Sequence, residues 1–482
     1  MLDIDLTPVP MDRFEAVIGS GPYRRFARSM EEAARCFEGR TLWCVNSSAK
    51  GGGVAEMLTS LMGYLAGAGL GARWVVIEGN DDFFTITKRI HNRLHGNDGD
   101  GGPLGSEERE RYERCLESAA HELSSRIERG DLVVVHDPQP AGLIPAIRDA
   151  GATVVWRSHI GMDDPNDLAG ETWEFLRPFV SLADACVFSR RAYAWSGLDP
   201  VEVIPPSIDA FSPKNRDLDH GAVEAILGAA GIMGAEPPEP PRFERGDGSI
   251  GTVSRRARLI EADPVPDSAP LILQVSRWDR LKDHVGVMRG FADHVAESSG
   301  AHLVLAGPRV DTVADDPEEG DALEEVRSAW DGLPTAARSR VHVTQVPVDD
   351  DDENSVVINA LQRRASVVVQ KSLAEGFGLT LAEAMWKARP VVASRVGGLQ
   401  DQVVHGESGL LVDDPEDLEA FGRAVNELLD DRERADRMGR AAHDRVRDEF
   451  LPTRHLVRFA ELVRRITRRR RATSPSTAGS RS

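Results

Sequence analysis

The stretch "EGFGLTLAEAMWKARPVVAS", from Glu375 to Ser394, carries two glutamates eight residues apart, Glu375 and Glu383, around a Gly-Phe-Gly turn. Leu381, Ala384, Met385 and Ala388 recur at helical spacing, so the spacing predicts a helix starting near Leu379 or Thr380. Gly376 and Gly378 leave backbone N–H groups uncovered at that start, where a phosphate or a sugar oxygen is favoured. Glu375 in the loop could accept hydrogen bonds from sugar hydroxyls, and Glu383 on the helix could reach the vicinal hydroxyls of a ribose. A local alternative stands beside this: Thr380-Leu-Ala-Glu383 also fits a capping box, in which Glu383 only bonds the helix start.

Other residues of chemical interest follow apolar runs. "LILQVSRWDRLKDHVGVM" puts Arg277 just past one run and Lys282 five residues on. A planar fork and a point charge together suit a diphosphate, although a solvated loop often holds such a pair. "LVLAGP" places Gly307 after the next run, where backbone can approach a ligand, and Lys371 and Ser372 read as loop residues without a role. In the first half, Gly51, Gly52 and Gly53 separate a strand from a helix beginning near Val54. That turn is open to an anion, yet it is neither a Walker A loop nor a GxGxxG fingerprint. "VHDPQPAGLIP" brings His136 and Asp137 to the end of a strand; Asp137 could bond sugar hydroxyls or cap the helix after Pro138. "WRSHIGMDDP" places His159 after the following strand as a donor to a polar ligand.

These residues need a scaffold that brings strand ends together. Six β-branched runs ("LWCVN", "RWVVIE", "LVVVH", "TVVWR", "ACVFS", "VEVI") are followed by a break and then six more ("LILQVS", "HLVLAG", "VHVT", "SVVVQ", "PVVAS", "GLLV"). Near-continuous apolar strands alternating with helices imply buried parallel sheets built from βαβ units. The expectation is an α/β chain of two Rossmann-like domains facing across a cleft, with ligands beyond the carboxyl ends of the strands. The Pro-, Gly- and charge-rich segment at about 231–268 reads as a surface insertion or mobile loop, and 467–482 as a disordered tail. The "DDDDE" run at 349–353 reads as a solvated loop.

Composition narrows the function classes. Of 482 residues, 78 are Asp or Glu and 58 Lys or Arg, a net charge of -20 that disfavours nucleic acid and anionic membranes as partners. No apolar run approaches the ~20 residues of a membrane span. Four scattered cysteines without a CxxC, and no signal-peptide pattern, point to a reducing cytoplasm.

The motifs resemble a known group. "EGFGLTLAE" is similar to the Glu-x7-Glu signature of retaining glycosyltransferases of the GT-B architecture. "VSRWDRLKD" and "GGLQDQVVHGESGLLVDDPEDLEAF" resemble two further segments of that group. "VNSSAKGGGVAEML", "VVVHDPQPAGLIP", "WRSHIGMDDPN" and "IPPSIDAFSPKNRDL" look like the glycosyltransferring trehalose synthases, with the likeness covering most of Thr41 to Val412.

The resemblance implies glucose transfer from a nucleotide-diphosphate glucose (ADP-, UDP- or GDP-glucose) to glucose, with retention. The fungal-type trehalose phosphorylases are a competing likeness, and a glycosyltransferase with another acceptor or a nucleotide-sugar-binding protein without turnover are further alternatives. On the matched positions, Glu375 and the amides of Gly376, Phe377 and Gly378 would hold the donor sugar, with Leu379 beside them, and Glu383 the ribose. Arg277 and Lys282 would neutralise the diphosphate. Gly52, Gly53 and Gly307 would lie along the donor, His159 near the reacting carbon, and His136 and Asp137 on the acceptor side. No metal or other cofactor is expected. The implied domains are 1–208 for the acceptor, with 450–466 packing back on it, and 209–447 for the donor; a homodimer is compatible with this reading.

Overall fold

The computed structural model describes residues 1–49, 52–310 and 317–473. The chain divides into two compact units, Met1–Ser207 together with the segment from Pro452, and Ile208–Leu451. All twelve runs predicted as strands are strands. In the first unit these are β2 (Thr41–Asn46), β3 (Gly71–Val76), β4 (Leu132–His136), β5 (Thr153–Ser158), β6 (Ala185–Phe188) and β7 (Val201–Val203), preceded by an unforeseen β1 (Leu2–Ile4). The sheet order is β1-β3-β2-β4-β5-β6-β7, parallel throughout except for β1 against β3. Alternate strand residues feed two cores. Trp43, Val45, Val133 and Val135 point to one face, and Leu42, Cys44, Leu132 and Val134 to the other, as period-2 geometry requires of a sheet covered on both sides.

The second unit repeats the plan. Strands β8 (Arg242–Glu244) and β9 (Ile250–Thr252) form a separate hairpin. The sheet itself has order β10-β13-β12-β11-β14-β15-β16. Its strands are β10 (Arg258–Ile260), β11 (Leu271–Val275), β12 (His302–Pro308), β13 (Val341–Val346), β14 (Val367–Gln370), β15 (Val391–Ser394) and β16 (Leu410–Val412). Only β10 is antiparallel, lying against β13.

Three expectations are corrected here. The 231–268 segment is built structure: it contributes the hairpin and the edge strand, and it buries Phe243, Val253 and Val265. Its arginines explain the acidic run that read as a solvated loop. Arg245 forks onto both carboxylate oxygens of Asp350 at 2.7 and 2.6 Å, while buried Glu353 accepts from the backbone N–H groups of Ser254 and Arg255 and pairs with the Arg255 guanidinium. Asp350 also caps the helix Asp351–Arg364. Finally, the C-terminal helix runs from Pro452 to Thr473, so residues 467–473 continue it, whereas 474–482 lie outside the described residues. That helix inserts Leu462, Val463 and Ile466 into the first unit's core and places Arg464 on Glu32 and Arg470 on Asp184.

The Arg245 fork holds the Asp350 carboxyl down to about 2, with help from the Glu353 backbone N–H. A depressed carboxyl stabilises the fold at pH values above its ordinary range, and the contribution is lost as pH falls from about 4 towards 2. The melting-temperature gap between the parent and Asp350→Asn is therefore expected to narrow as pH is lowered from about 5 to about 3. A gap that is constant over that interval would show that the charge of Asp350 contributes nothing.

Candidate active site

In both sheets the first parallel strand has neighbours built in opposite directions of travel, so each has a topological switch point, the usual ligand crevice of open α/β sheets. In the second unit it falls between β11 and β14, and the two loops leaving those strands carry the predicted residues. After β11, buried Trp278 anchors the loop by donating from its indole to Pro308 O at 2.6 Å. A short turn, Arg280–Lys282, then presents Lys282. After β14, the loop 371–378 presents Glu375 and the glycine turn. Lys282 Nζ donates to Glu375 Oε2 at 2.9 Å, so residues 93 positions apart meet at the switch point. Leu373 N donates to Leu281 O at 2.8 Å, tying the same loops through their backbones.

The helix begins at Leu379, with Gly378 as N-cap at φ 83°, a left-handed conformation that suits glycine. The capping box does not form: no side chain caps this helix, and the Thr380 hydroxyl donates to Gln370 Oε1 at 3.1 Å. Glu383 is 1% exposed, and its carboxylate lies 3.7 Å from Lys214 Nζ. Phe377 packs against Phe450, and its carbonyl and that of Gly378 accept from the Gln402 amide, which fixes the turn from behind.

Two predicted residues of this unit stand outside the Lys282–Glu375 pair. Arg277 is 55% exposed and faces Asp279 and Glu319 at 3.8 and 3.7 Å, apart from the Lys282–Glu375 pair. Gly307 lies within β12 and not after it; a side chain there would come within 2.6 Å of the Trp278 ring, so packing is what requires a glycine.

In the first unit the switch point lies between β2 and β4. Gly52, at φ 79°, is the N-cap of the helix Gly53–Gly67; Lys50 and Gly51 lie outside the described residues. His136 is the last residue of β4 and is 2% exposed, which places it behind the ligand edge expected for it. Its ring stacks at 7° on that of His159, with Nδ1 of one 3.3 Å from Nε2 of the other. Asp137 adopts φ 64°, and its Oδ1 accepts from His159 N at 2.7 Å. Asp137 therefore fixes the His159 loop, and the turn after Pro140 has no side-chain cap, so the helix-capping alternative is not realised.

Burial governs the electrostatics of this cluster. It pushes the Asp137 carboxyl up to about 7, against the pull of the His159 N–H and of Arg157. It pushes His136 down to about 3 and His159 well below the usual imidazole range, with the nearby Arg157 charge adding to both, so both rings are neutral at pH 7. Arg157, itself lowered to about 10 by burial, remains charged. It donates to His455 Nε2 at 2.7 Å and to Ile204 O at 3.3 Å. His455, on the C-terminal helix, is a member of the cluster that sequence reasoning missed; a lone histidine in an arginine-rich helix carries no signal of it. Among the described residues no group of three or more His, Cys, Asp or Glu is placed to hold a metal, and no helix is long and apolar enough to cross a membrane.

Paired Rossmann-like domains with a Glu-x7-Glu loop and helix at the second switch point define a GT-B glycosyltransferase. Residues 44–195 match the model of the trehalose synthase N-terminal domain, and 256–445 that of glycosyl transferases group 1. The trehalose synthase of Pyrococcus horikoshii is 33% identical over 462 residues, covering 94% of this chain and 95% of the relative. The chain belongs to the trehalose synthase family of glycosyltransferases. The trehalose phosphorylase of Pleurotus pulmonarius is more distant, at 24% identity over 91% of this chain and 58% of its own length. Among solved structures, the UDP-forming α,α-trehalose-phosphate synthase of Burkholderia xenovorans in complex with glucose-6-phosphate shares the fold, with a TM-score of 0.62 at 16% identity over 89% of this chain and all of that one.

Proposed function

We propose that the protein transfers glucose from a nucleotide-diphosphate glucose to free glucose, forming α,α-trehalose with retention and without a metal. The observation that carries this reading is the Lys282–Glu375 pair beside the glycine turn Gly376–Gly378 at a switch point. Breaking the donor C1–O bond leaves its electron pair on the diphosphate and builds positive charge on the sugar. Lys282, with exposed Arg277 nearby in sequence, neutralises that diphosphate in place of a metal ion. The backbone N–H groups at the helix start hold oxygens of the donor, and preorganised donors of this kind act where charge develops. Glu375 accepts from the glucose hydroxyls and Glu383 from the ribose. For the first unit, the family resemblance implies donor-side roles for Gly52, Gly53 and neutral His159 and an acceptor-side role for Asp137. As the family resemblance implies, the acceptor oxygen forms the new bond to C1 on the same face and its proton passes to the departing phosphate. Four free thiols support residence in the cytoplasm.

Glu383 gives a direct check. Glu383→Gln keeps the volume of this buried side chain and removes its charge. A hydrogen bond to a charged group contributes ~1.5–3 kcal/mol, so nucleoside-diphosphate affinity is expected to fall about tenfold or more by calorimetry. A variant that melts lower but binds as the parent does would make Glu383 a purely structural residue.

The reaction itself is tested by incubating the protein with glucose and ADP-, UDP- or GDP-glucose in the presence of a chelator, and identifying both products. Trehalose with the matching nucleoside diphosphate is the expected result and names the donor base. Glucose 1-phosphate from trehalose and phosphate, with no trehalose from any nucleotide glucose, would replace this reading by a phosphorylase.

A further inference from the structure

The two loops that meet at Lys282 and Glu375 are joined by a second ion pair. Lys371, the first residue after β14, is 1% exposed, and its ammonium pairs with Asp283, the residue after Lys282. Burying an ammonium costs more than a hydrophobic residue of the same volume would, unless the partner and geometry are fixed. Here both are fixed. Asp283 adopts φ 50°, unusual for a residue other than glycine, and its second oxygen accepts from Gly286 N at 3.0 Å, capping the helix His284–His294. A side chain at Gly286 would collide with that carboxylate, which explains the glycine. Between the loops stands Gln274, fully buried on β11. Its amide donates to Lys282 O at 2.8 Å and its carbonyl accepts from Lys371 N at 3.3 Å.

We propose that Lys371 and Asp283 are positioning residues for the diphosphate-binding lysine, forming a strut that keeps Lys282 in register when its own pair with Glu375 is given up. This rests on the reading of Lys282 and Glu375 above. On that reading the ligand takes both: the diphosphate draws the Lys282 ammonium and the sugar occupies the Glu375 carboxylate. The outer pair then no longer joins the loops, and the inner pair with its glutamine remains. An outer pair that exchanges partners and an inner pair whose ammonium is buried, held by a carboxylate that also caps a helix, are what such a division requires. The strut touches no substrate on this account; it acts through the backbone of Lys282, where a displacement of ~1 Å costs on the order of 10²-fold in rate.

The test is the double variant Asp283→Asn/Lys371→Gln, with Asp283→Asn alone as the second. Both charges go together in the double variant, so no unpaired charge is left buried, and asparagine both tolerates the left-handed conformation and caps a helix. Melting temperature, affinity for the free nucleoside diphosphate, and kcat and KM for each substrate are read in parallel. The expected result is a folded protein in which kcat falls on the order of 10²-fold and diphosphate affinity about tenfold, while KM for glucose is unchanged. If the double variant does not fold, the same split is expected of Asp283→Asn. A folded variant with parental kcat and diphosphate affinity overturns the strut, whatever its melting temperature. A parent that makes no trehalose from any nucleotide glucose overturns the functional reading instead, and the diphosphate-binding arm still decides whether the inner pair positions Lys282.

Discussion

Replacing Lys282 by alanine is expected to lower turnover by about 10²–10³-fold, the usual cost of losing one preorganised contact to the charge that develops in a transition state. The ammonium is already held at the end of β11 by Glu375 at 2.9 Å, so a ligand anion does not have to order it. Arginine at 282 is not a conservative replacement, since a planar fork cannot occupy the position of a point charge. Lys282→Ala leaves Glu375 without this partner at a site that is partly open, so stability is expected to change far less than rate. Steady-state kinetics with saturating nucleotide glucose checks the expectation. Parental kcat would remove Lys282 from the reaction and, with it, the account of a metal-free diphosphate.

Gly398→Ala is expected to reduce kcat/KM for the donor by on the order of 10²-fold through the backbone of the glycine turn. A β-carbon at 398 comes within 2.5 Å of Phe377 Cα and 2.9 Å of both Gly376 O and Phe377 O. Those atoms are main chain and cannot rotate away, so the glycine turn must move. Overpacking of this kind costs roughly 1–3 kcal/mol of stability, which a melting curve reads separately. Gly300→Ala serves as the control, because its new β-carbon meets nothing within 4 Å. A Gly398→Ala protein with unaltered donor kinetics would show that the Gly376–Phe377 backbone does not hold the donor.

The twelve strands were legible because most are near-continuous apolar runs buried on both faces; β7, with no fully buried residue, is the exception. The four that were missed are three residues long and sit at edges or in a hairpin. Arg258–Ile260, for instance, offers two apolar residues, and its strand identity comes from β13 beside it. Glu375, Glu383 and Lys282 were legible because strand ends in this fold class become ligand loops and the motif around them is dense. The Lys282–Glu375 pairing was not, since nothing local joins positions 93 apart. The same limit hid Lys371, which looks like any loop lysine until Asp283 is brought to it, and His455, which reaches Arg157 across 298 positions. Gly307 erred in the other direction. Its place in the sequence put it after a strand, but β12 extends past it and packing gives it to Trp278.

The division of the chain also dictates an order of assembly. The second unit begins and ends at one spot, with Ile208 N donating to Phe450 O at 2.9 Å, so it can close on itself as soon as residue 451 has been made. The first unit cannot. Its sheet is complete by residue 203, yet Leu462, Val463, Ile466 and His455, which fill its core and meet Arg157, are synthesised last. At ordinary translation rates the N-terminal half waits roughly ten to fifty seconds on the ribosome with one face uncovered. The segment that begins first finishes second, and during that interval the nascent chain offers chaperones an apolar surface that the mature protein does not have.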